Sequence, residues 1–249
     1  MKKTEFTEID ALFVGAHPDD VELGAGGTVA NLAREGKKVV MVDFTRGELG
    51  TRGSGERRLK EASKAAQILG VQERINLGLP DGFLKSDDET IKKAIHVIRK
   101  YRPKIVVLNP EYERHPDHEA AHRIIRSAMF KSGLLRIETK ENGRLQEPFR
   151  TRKIISYQQA YAFTRKPDLI VDISDTFETK MKAIKAYTSQ VYVPGISDPN
   201  GPVTRLSRPE FLEELEARAI YFGTLIGCRY AEPFISIEPV GLKSLSGII

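Results

Sequence analysis

Asp10-Ala-Leu-Phe-Val-Gly-Ala16 is an apolar run a few residues long, and together with the two segments after it this run sets the fold class. Its length and composition predict a strand buried on both faces. Gly24 to Arg34 then reads as a helix stopped by Gly36, since glycine tolerates the left-handed φ/ψ of a helix end. Lys38-Val-Val-Met-Val-Asp-Phe44 is a second buried strand. Strand, helix and strand in this order are the signature of a parallel sheet with crossover helices.

The alternation continues outward. Thr45 to Gly55 carries four glycines and reads as a loop, followed by a helix over Glu56–Leu69 with Leu59, Ala62, Ala66 and Leu69 at helical spacing. Arg74-Ile-Asn-Leu77 is a short strand and Leu79-Pro-Asp-Gly82 a turn. A helix over Asp88–Tyr101 presents Ile91, Ile95 and Ile98 on one face, and Lys104–Asn109 is a further buried strand. The loop Pro110–Asp117 leads into a helix over His118–Phe130. Beyond Gly133 the chain is polar as far as Arg152. Strands at Lys153–Tyr161 and Leu169–Ile173 and helices at Asp175–Tyr187 and Pro209–Phe222 come next. Val193 to Ser207 holds three prolines and two glycines and reads as a long surface loop. The expected fold is α/β: one domain over residues 1–249, with a Rossmann-like, mostly parallel sheet flanked by helices and a less regular C-terminal third.

Composition narrows the function classes. At 249 residues, 40% apolar and 29% charged, the chain is neither disordered, collagen-like nor a coiled coil. A single cysteine, Cys228, makes no internal disulfide, which predicts a reducing compartment and a small buried side chain. No run approaches the ~20 apolar residues of a membrane span, and the first is shorter than the ~7–15 of a signal peptide core, so a cytoplasmic protein is expected. The 39 basic residues only slightly outnumber the 34 acidic ones and are mixed with them, as in Glu56-Arg57-Arg58-Leu59-Lys60-Glu61. Nucleic acid is therefore not an expected partner, and neither is a membrane.

The histidines carry the chemistry. Of five, three (His115, His118 and His122) fall within eight residues, and His17 sits in Ala16-His-Pro-Asp-Asp20 at the end of the first strand. Both clusters come directly after a buried strand, so both lie at the carboxyl edge of the sheet. In a 3-2-1-4 strand order the first and fourth strands are neighbours, and the two loops converge at the switch point where such sheets bind ligands. Two histidines and one carboxylate match a catalytic zinc with an open position, and a second aspartate is free to act as general base. Helix capping is the competing reading of Asp19-Asp20, weakened by His17 beside them.

His118-Glu119-Ala120-Ala121-His122 also fits the H-E-x-x-H motif of zinc peptidases. That reading lacks a third ligand, because position 128 is Ala128 and Glu138 and Glu141 lie beyond the helix; it also leaves His17 to Asp20 unexplained. Glu119 is then a first-turn charge, and His122 lies on the surface or behind the site. Gly24-Ala-Gly-Gly27 suggests a dinucleotide site, but Asp19, Asp20 and Glu22 occupy the turn where a pyrophosphate would sit. The glycines read instead as close packing beneath the site. His96 reads as structural or solvated. Glu48, Arg52, Arg57, Arg58 and Asp81 lie in or after loops at the same sheet edge.

Ala16-His-Pro-Asp-Asp20, Thr45-Arg-Gly-Glu48, Arg58-Leu-Lys-Glu61-Ala, Leu79-Pro-Asp81 and His115-Pro-Asp-His118 occur in the order seen in the LmbE-like (PIG-L) zinc de-N-acetylases, which the chain resembles over nearly its whole length. Glu113–His118, Val171–Asp175 and Ala186–Gln190 are most similar to the branch that deacetylates N-acetylglucosaminyl malate in bacillithiol synthesis. The resemblance implies a Rossmann-like fold, one Zn2+ per chain (a site that also accepts Fe2+ or Co2+), and homo-oligomers, hexamers or trimers. It implies hydrolysis of the acetamide of an N-acetylglucosaminide to acetate and a free amine. Carried over by position, His17, Asp20 and His118 would hold the metal and Asp19 would act as general base. His115 would stabilise the oxyanion as an imidazolium oriented by Asp117. Glu48, Arg58 and Asp81 would contact the sugar, and Arg114 a carboxylate on the aglycone.

Overall fold

The computed structural model describes residues 7–151, 153–197, 200–241 and 244; Arg152 and part of the 193–207 loop lie outside the described residues. The first half is a run of β/α units: β1 (Ala11–Gly15), α1 (Asp20–Arg34), β2 (Val39–Thr45), α2 (Gly55–Leu69), β3 (Glu73–Leu79), α3 (Asp88–Tyr101), β4 (Ile105–Leu108) and α4 (Pro116–Lys131). A two-stranded hairpin, β5 (Lys140–Glu141) and β6 (Arg144–Leu145), interrupts the polar stretch. Then come β7 (Lys153–Tyr157), β8 (Leu169–Asp172), α5 (Phe177–Lys185), α6 (Glu210–Ile226) and β9 (Ala231–Ser236).

The sheet has seven strands in the order β3-β2-β1-β4-β7-β9-β8. β3, β2, β1, β4 and β7 pair in parallel, and β9 runs antiparallel to both its neighbours. Ala11 of β1 pairs with Val39 of β2 on one side and Ile105 of β4 on the other, which is the expected 3-2-1-4 arrangement with its switch point between β1 and β4.

Strand alternation explains why these segments read as continuous apolar runs. Leu12, Val14, Val40, Val42, Val106 and Leu108 pack on one face under α3 and α4. Ala11, Phe13, Val39, Met41 and Val107 pack on the other under α1 and α2. Each fully buried Leu, Ile or Val contributes ~1.5–3 kcal/mol relative to exposure, so both faces specify the register. A third core joins α5 to α6, where the rings of Phe177 and Tyr230 stack with centroids 3.8 Å apart. No helix among the described residues is long and apolar enough to cross a membrane.

Several boundaries differ from expectation. α1 starts at Asp20 rather than Gly24, because the acidic turn is itself the helix start. α4 starts at Pro116, a residue suited to the first helical position, with His115 as its N-cap. β7 ends at Tyr157 instead of reaching Tyr161, and β9 is an addition. Cys228 is half-buried, its thiol donating to the Tyr230 carbonyl at 3.4 Å, and is not a core residue. The glycines of α1 do serve packing: a Cβ on Gly24 would meet Tyr157 Cδ2 at 2.2 Å, and one on Gly27 would meet Ile173 Cβ at 2.7 Å.

Candidate active site

The loops after β1 and β4 meet. Asn109, at the end of β4, accepts from the Ala16 N–H (3.0 Å) and donates to Asp20 Oδ2 (3.0 Å), tying one loop to the other. The His17 N–H also donates to Asp20 Oδ2, at 3.0 Å. With that oxygen satisfied, Asp20 Oδ1 is left 3.2 Å from Nε2 of His118. His17 Nδ1 lies 3.3 Å from the same nitrogen and 3.7 Å from Asp20 Oδ2. Ligand atoms at ~2.0–2.1 Å around a tetrahedral ion stand ~3.3 Å apart, close to the two spacings that His118 Nε2 makes here.

The other nitrogen of His17 is held from behind. His17 Nε2 lies 3.0 Å from Asp81 Oδ1 and 3.3 Å from Asp117 Oδ2. Both carboxylates are fixed by backbone donors: Asp81 by the Leu49 N–H at 2.8 Å, Asp117 by those of Gly82 (2.7 Å) and Leu84 (3.2 Å). His17, Asp81 and Asp117 are close enough to hold an ion themselves, and the two carboxylates also fix the orientation of the His17 ring. Burial disfavours charge on His17, yet its bonds to Asp117, Asp20 and Asp81 outweigh this and hold its pKa well above the usual value. The same carboxylates favour a cation there.

Asp19 occupies the turn with φ 106°, a left-handed backbone that costs a non-glycine residue ~1–3 kcal/mol. It makes no side-chain capping bond, so the capping reading does not hold. Its Oδ2 instead pairs with Arg58 Nη2 at 3.0 Å. Burial pushes the Asp19 carboxyl up to about 7, although the Arg58 cation draws it down. Burial acts on Asp20 in the same direction, but contact with His118 and His17 keeps it well below the ordinary range.

The histidine rings cluster: His115 lies 4.6 Å from His17 and 5.0 Å from His118 between centroids. His17, His115 and His118 together could also hold an ion. Around His115 the contacts differ from those expected. The Asp117 carboxylate turns to His17, and only its backbone N–H reaches His115 Nδ1 (3.2 Å), so the main chain, not the carboxylate, orients the ring. That bond uses a lone pair on Nδ1, and burial, with His17 and His118 nearby, draws the His115 pKa below its ordinary value; both favour the Nε2–H tautomer over the expected imidazolium.

The remaining residues divide. Arg58 lines the pocket, and its two terminal nitrogens bond Asp19 and the carbonyls of Pro18 and Gly47, while its Nε is buried without a partner among the described residues. Asp81 also lines it, with its carboxylate engaged by His17. Glu48 accepts from the Asp81 and Arg46 N–H groups and braces the turn beside the pocket. Arg114 is exposed in the pocket wall. His122 is buried, not on the surface, with Nδ1 bonded to the Asn109 carbonyl at 3.0 Å; it is not in the pocket, which removes the H-E-x-x-H ligand set.

The pocket has a volume of about 420 Å³. Sequence reasoning missed Gln158, Gln159 and Arg218 in its wall. Gln159 and Arg218 shape it, the guanidinium donating to the carbonyls of Gln159 (2.6 Å) and Leu23 (2.9 Å). No motif or spacing links residues so far apart in the chain. Gln190, also in the wall, stood only in a stretch quoted for its resemblance.

Comparison with known proteins agrees with this geometry. Residues 12–129 match the family model PIG-L, GlcNAc-PI de-N-acetylase. The chain is 34% identical over 232 residues to a diacetylchitobiose deacetylase of Thermococcus kodakarensis, covering 89% of this chain and 80% of that protein. It is 28% identical over 204 residues to a probable N-acetyl-α-D-glucosaminyl L-malate deacetylase 2 of Bacillus cereus, covering 74% and 84% respectively. Among solved structures, a conserved protein of Thermus thermophilus superposes with a TM-score of 0.81 at 37% identity, covering 94% of this chain and 97% of that one. On fold, loop placement and relatives alike, the chain belongs to the PIG-L (LmbE-like) family of de-N-acetylases.

Proposed function

We propose that this chain is a metal-dependent amidohydrolase that removes the acetyl group from an N-acetylglucosamine conjugate, releasing acetate and the free amine. The observation that carries the reading is the approach of His17 Nδ1 and Asp20 Oδ1 to within 3.3 and 3.2 Å of His118 Nε2, with Asp19 alongside. His17, Asp20 and His118 would hold a divalent ion, for which zinc suits the nitrogen and oxygen donors, and such an ion would supply Lewis acidity to polarise a carbonyl and acidify water.

The chain's own residues account for the proton movements. Asp19, with a pKa of about 7, is matched to taking a proton from the attacking water and returning it to the departing nitrogen. Arg58 holds that carboxylate in place. His115 offers its Nε2–H to the oxygen on which negative charge develops, a role that preorganised donors fill without reorienting. Water contributes its hydroxyl to the acetyl carbon and its proton to the amine, so the reaction balances without another reactant.

The finer question is what the sugar is attached to. Arg114, exposed in the wall beside His115, favours an aglycone carboxylate such as that of malate. Free-amine release by purified, metal-analysed protein across N-acetylglucosaminides of varied aglycone tests the activity. With malate bound by Arg114, Arg114→Ala lowers the kcat/KM ratio of the malate conjugate to plain N-acetylglucosamine about 10- to 150-fold, the range of a charge-assisted hydrogen bond. Equal wild-type rates on both would discard malate, and no amine from any of them would discard the deacetylase.

A further inference from the structure

We propose that the outer face of α6 is a contact with a second copy of this chain, laid antiparallel across a two-fold axis at Tyr221. The proposal is independent of the reaction assigned above.

In the last two turns of α6 four large apolar side chains are open to solvent: Ile220, Tyr221, Leu225 and Ile226, the tyrosine 59% and the leucine 53% exposed. Exposed apolar residues scattered singly are ordinary, but a run of them on one helix marks a surface that another body covers. The opposite face of α6 is already occupied. Phe211, Leu215 and Ala219 are buried in the core shared with α5, and Leu215 and Arg218 line the pocket. The helix thus stands between the pocket and the bare face.

The order of residues on that face says what covers it. Glu213, Ala217, Tyr221 and Leu225 follow at four-residue steps, a single ridge along α6, and Arg229 continues the spacing two residues past the Gly227 cap. All five are exposed. Acid, small residue, aromatic ring, large aliphatic and base form a series that complements its own reverse. In an antiparallel pair centred on Tyr221, Glu213 faces the partner's Arg229, and Ala217 leaves room for the partner's Leu225. A parallel copy would set each charge against its like, and antiparallel helices also oppose their dipoles favourably.

The charges are free to act this way. Glu213 and Arg229 enter no ion pair among the described residues, whereas Glu214 is held by Arg205 and Arg208. The Arg229 guanidinium lies 5.0 Å from the centroid of the Tyr230 ring. Tyr221, at the centre, stands edge-on to the buried Phe222 ring with centroids 5.0 Å apart, which leaves it few conformations to lose on contact. Half-exposed side chains of this size offer roughly 100 Å² each, so four from each copy cover about 800 Å², and the flanking charges bring the contact toward the ~1,200 Å² of the smallest stable interfaces.

Sedimentation velocity over a concentration series tests the arrangement in wild type, Tyr221→Asp, Glu213→Arg, Arg229→Glu and the Glu213→Arg/Arg229→Glu double variant, with circular dichroism to check folding. Tyr221→Asp should reduce the assembly to half the wild-type mass, or raise its dissociation constant at least about 30-fold, the effect of losing an aromatic anchor at the centre of an interface. Each single charge reversal should weaken association about tenfold or more, because like charges then oppose at both ends of the contact. The double variant should recover it. So should an equimolar mixture of the two single variants, since each supplies the charge that the other lacks. If Tyr221→Asp fails to fold, the reversals and their rescue decide alone. Wild type that sediments as a monomer at every concentration, or an assembly untouched by Tyr221→Asp, would overturn the proposal and leave the face to another occupant. Reversals that weaken association with no rescue in the double variant or the mixture would overturn the antiparallel pairing.

Discussion

Arg58 Nη2 stands 3.0 Å from Asp19 Oδ2, and both side chains are more than nine-tenths buried. A cation from α2 thus holds the carboxylate of Asp19, whose backbone is left-handed at φ 106°. Removing Arg58 takes away the main opposition to burial at Asp19, so its pKa rises above about 7. Arg58→Ala should move the acidic limb of the kcat/KM profile to higher pH and cut activity at neutral pH. A limb that does not move would detach Arg58 from Asp19.

Asp19 also sets a dependence of stability on pH. Its folded pKa of about 7 lies above the 3.8 of an ordinary aspartate, so between these values the native state binds more protons than the unfolded one. Its contribution to stability therefore falls as pH rises from about 4 to about 7. Asp19→Asn escapes that loss. In metal-free protein its Tm relative to wild type should climb across the window; in metal-loaded protein its turnover should be ~10²–10⁴-fold lower. A Tm difference flat with pH would contradict the assignment.

The ligand set makes a separate prediction. Alanine at His17, Asp20 or His118 should each remove most bound metal as measured by elemental analysis after dialysis. His122→Ala should keep its metal and lose stability, since its buried ring is held by the Asn109 carbonyl. Metal lost on His122→Ala and kept on His17→Ala would reverse the reading.

Packing beneath the site is testable through its glycines. Gly24→Ala places a methyl 2.2 Å from Tyr157 Cδ2, whereas the same change at Gly26 meets Lys180 Cγ at 3.2 Å. Overpacking of the first kind costs ~1–3 kcal/mol, so urea unfolding should show Gly24→Ala clearly less stable than Gly26→Ala. Equal stabilities would remove the packing role.

The parts of the fold legible in the sequence are those set by local physics. β1, β2 and β4 are buried on both faces and read as unbroken apolar runs, and the motifs at the ends of β1 and β4 needed only the strand order to bring them together. β9 escaped notice because Glu232 and Pro233 interrupt it. Glu232 is nonetheless buried, held by Lys180 at 2.6 Å and by the Gly27 and Thr28 N–H groups. A charge whose partners lie some 50 and 200 residues away has no local signature. The same holds for Arg218, which closes the pocket by bonding carbonyls in two distant segments. Asp117 reaches His115 through its main-chain N–H, while the helix start turns its carboxylate toward His17, an orientation that sequence spacing does not reveal.

The central claim is that His17, Asp20 and His118 hold a metal required for amide hydrolysis. The most direct measurement is amine release from an N-acetylglucosaminide by wild-type protein before chelation, after it, and after zinc is returned. A metal held by these three residues predicts activity, its loss on stripping and its recovery on reloading; undiminished release by protein shown to be metal-free would contradict it.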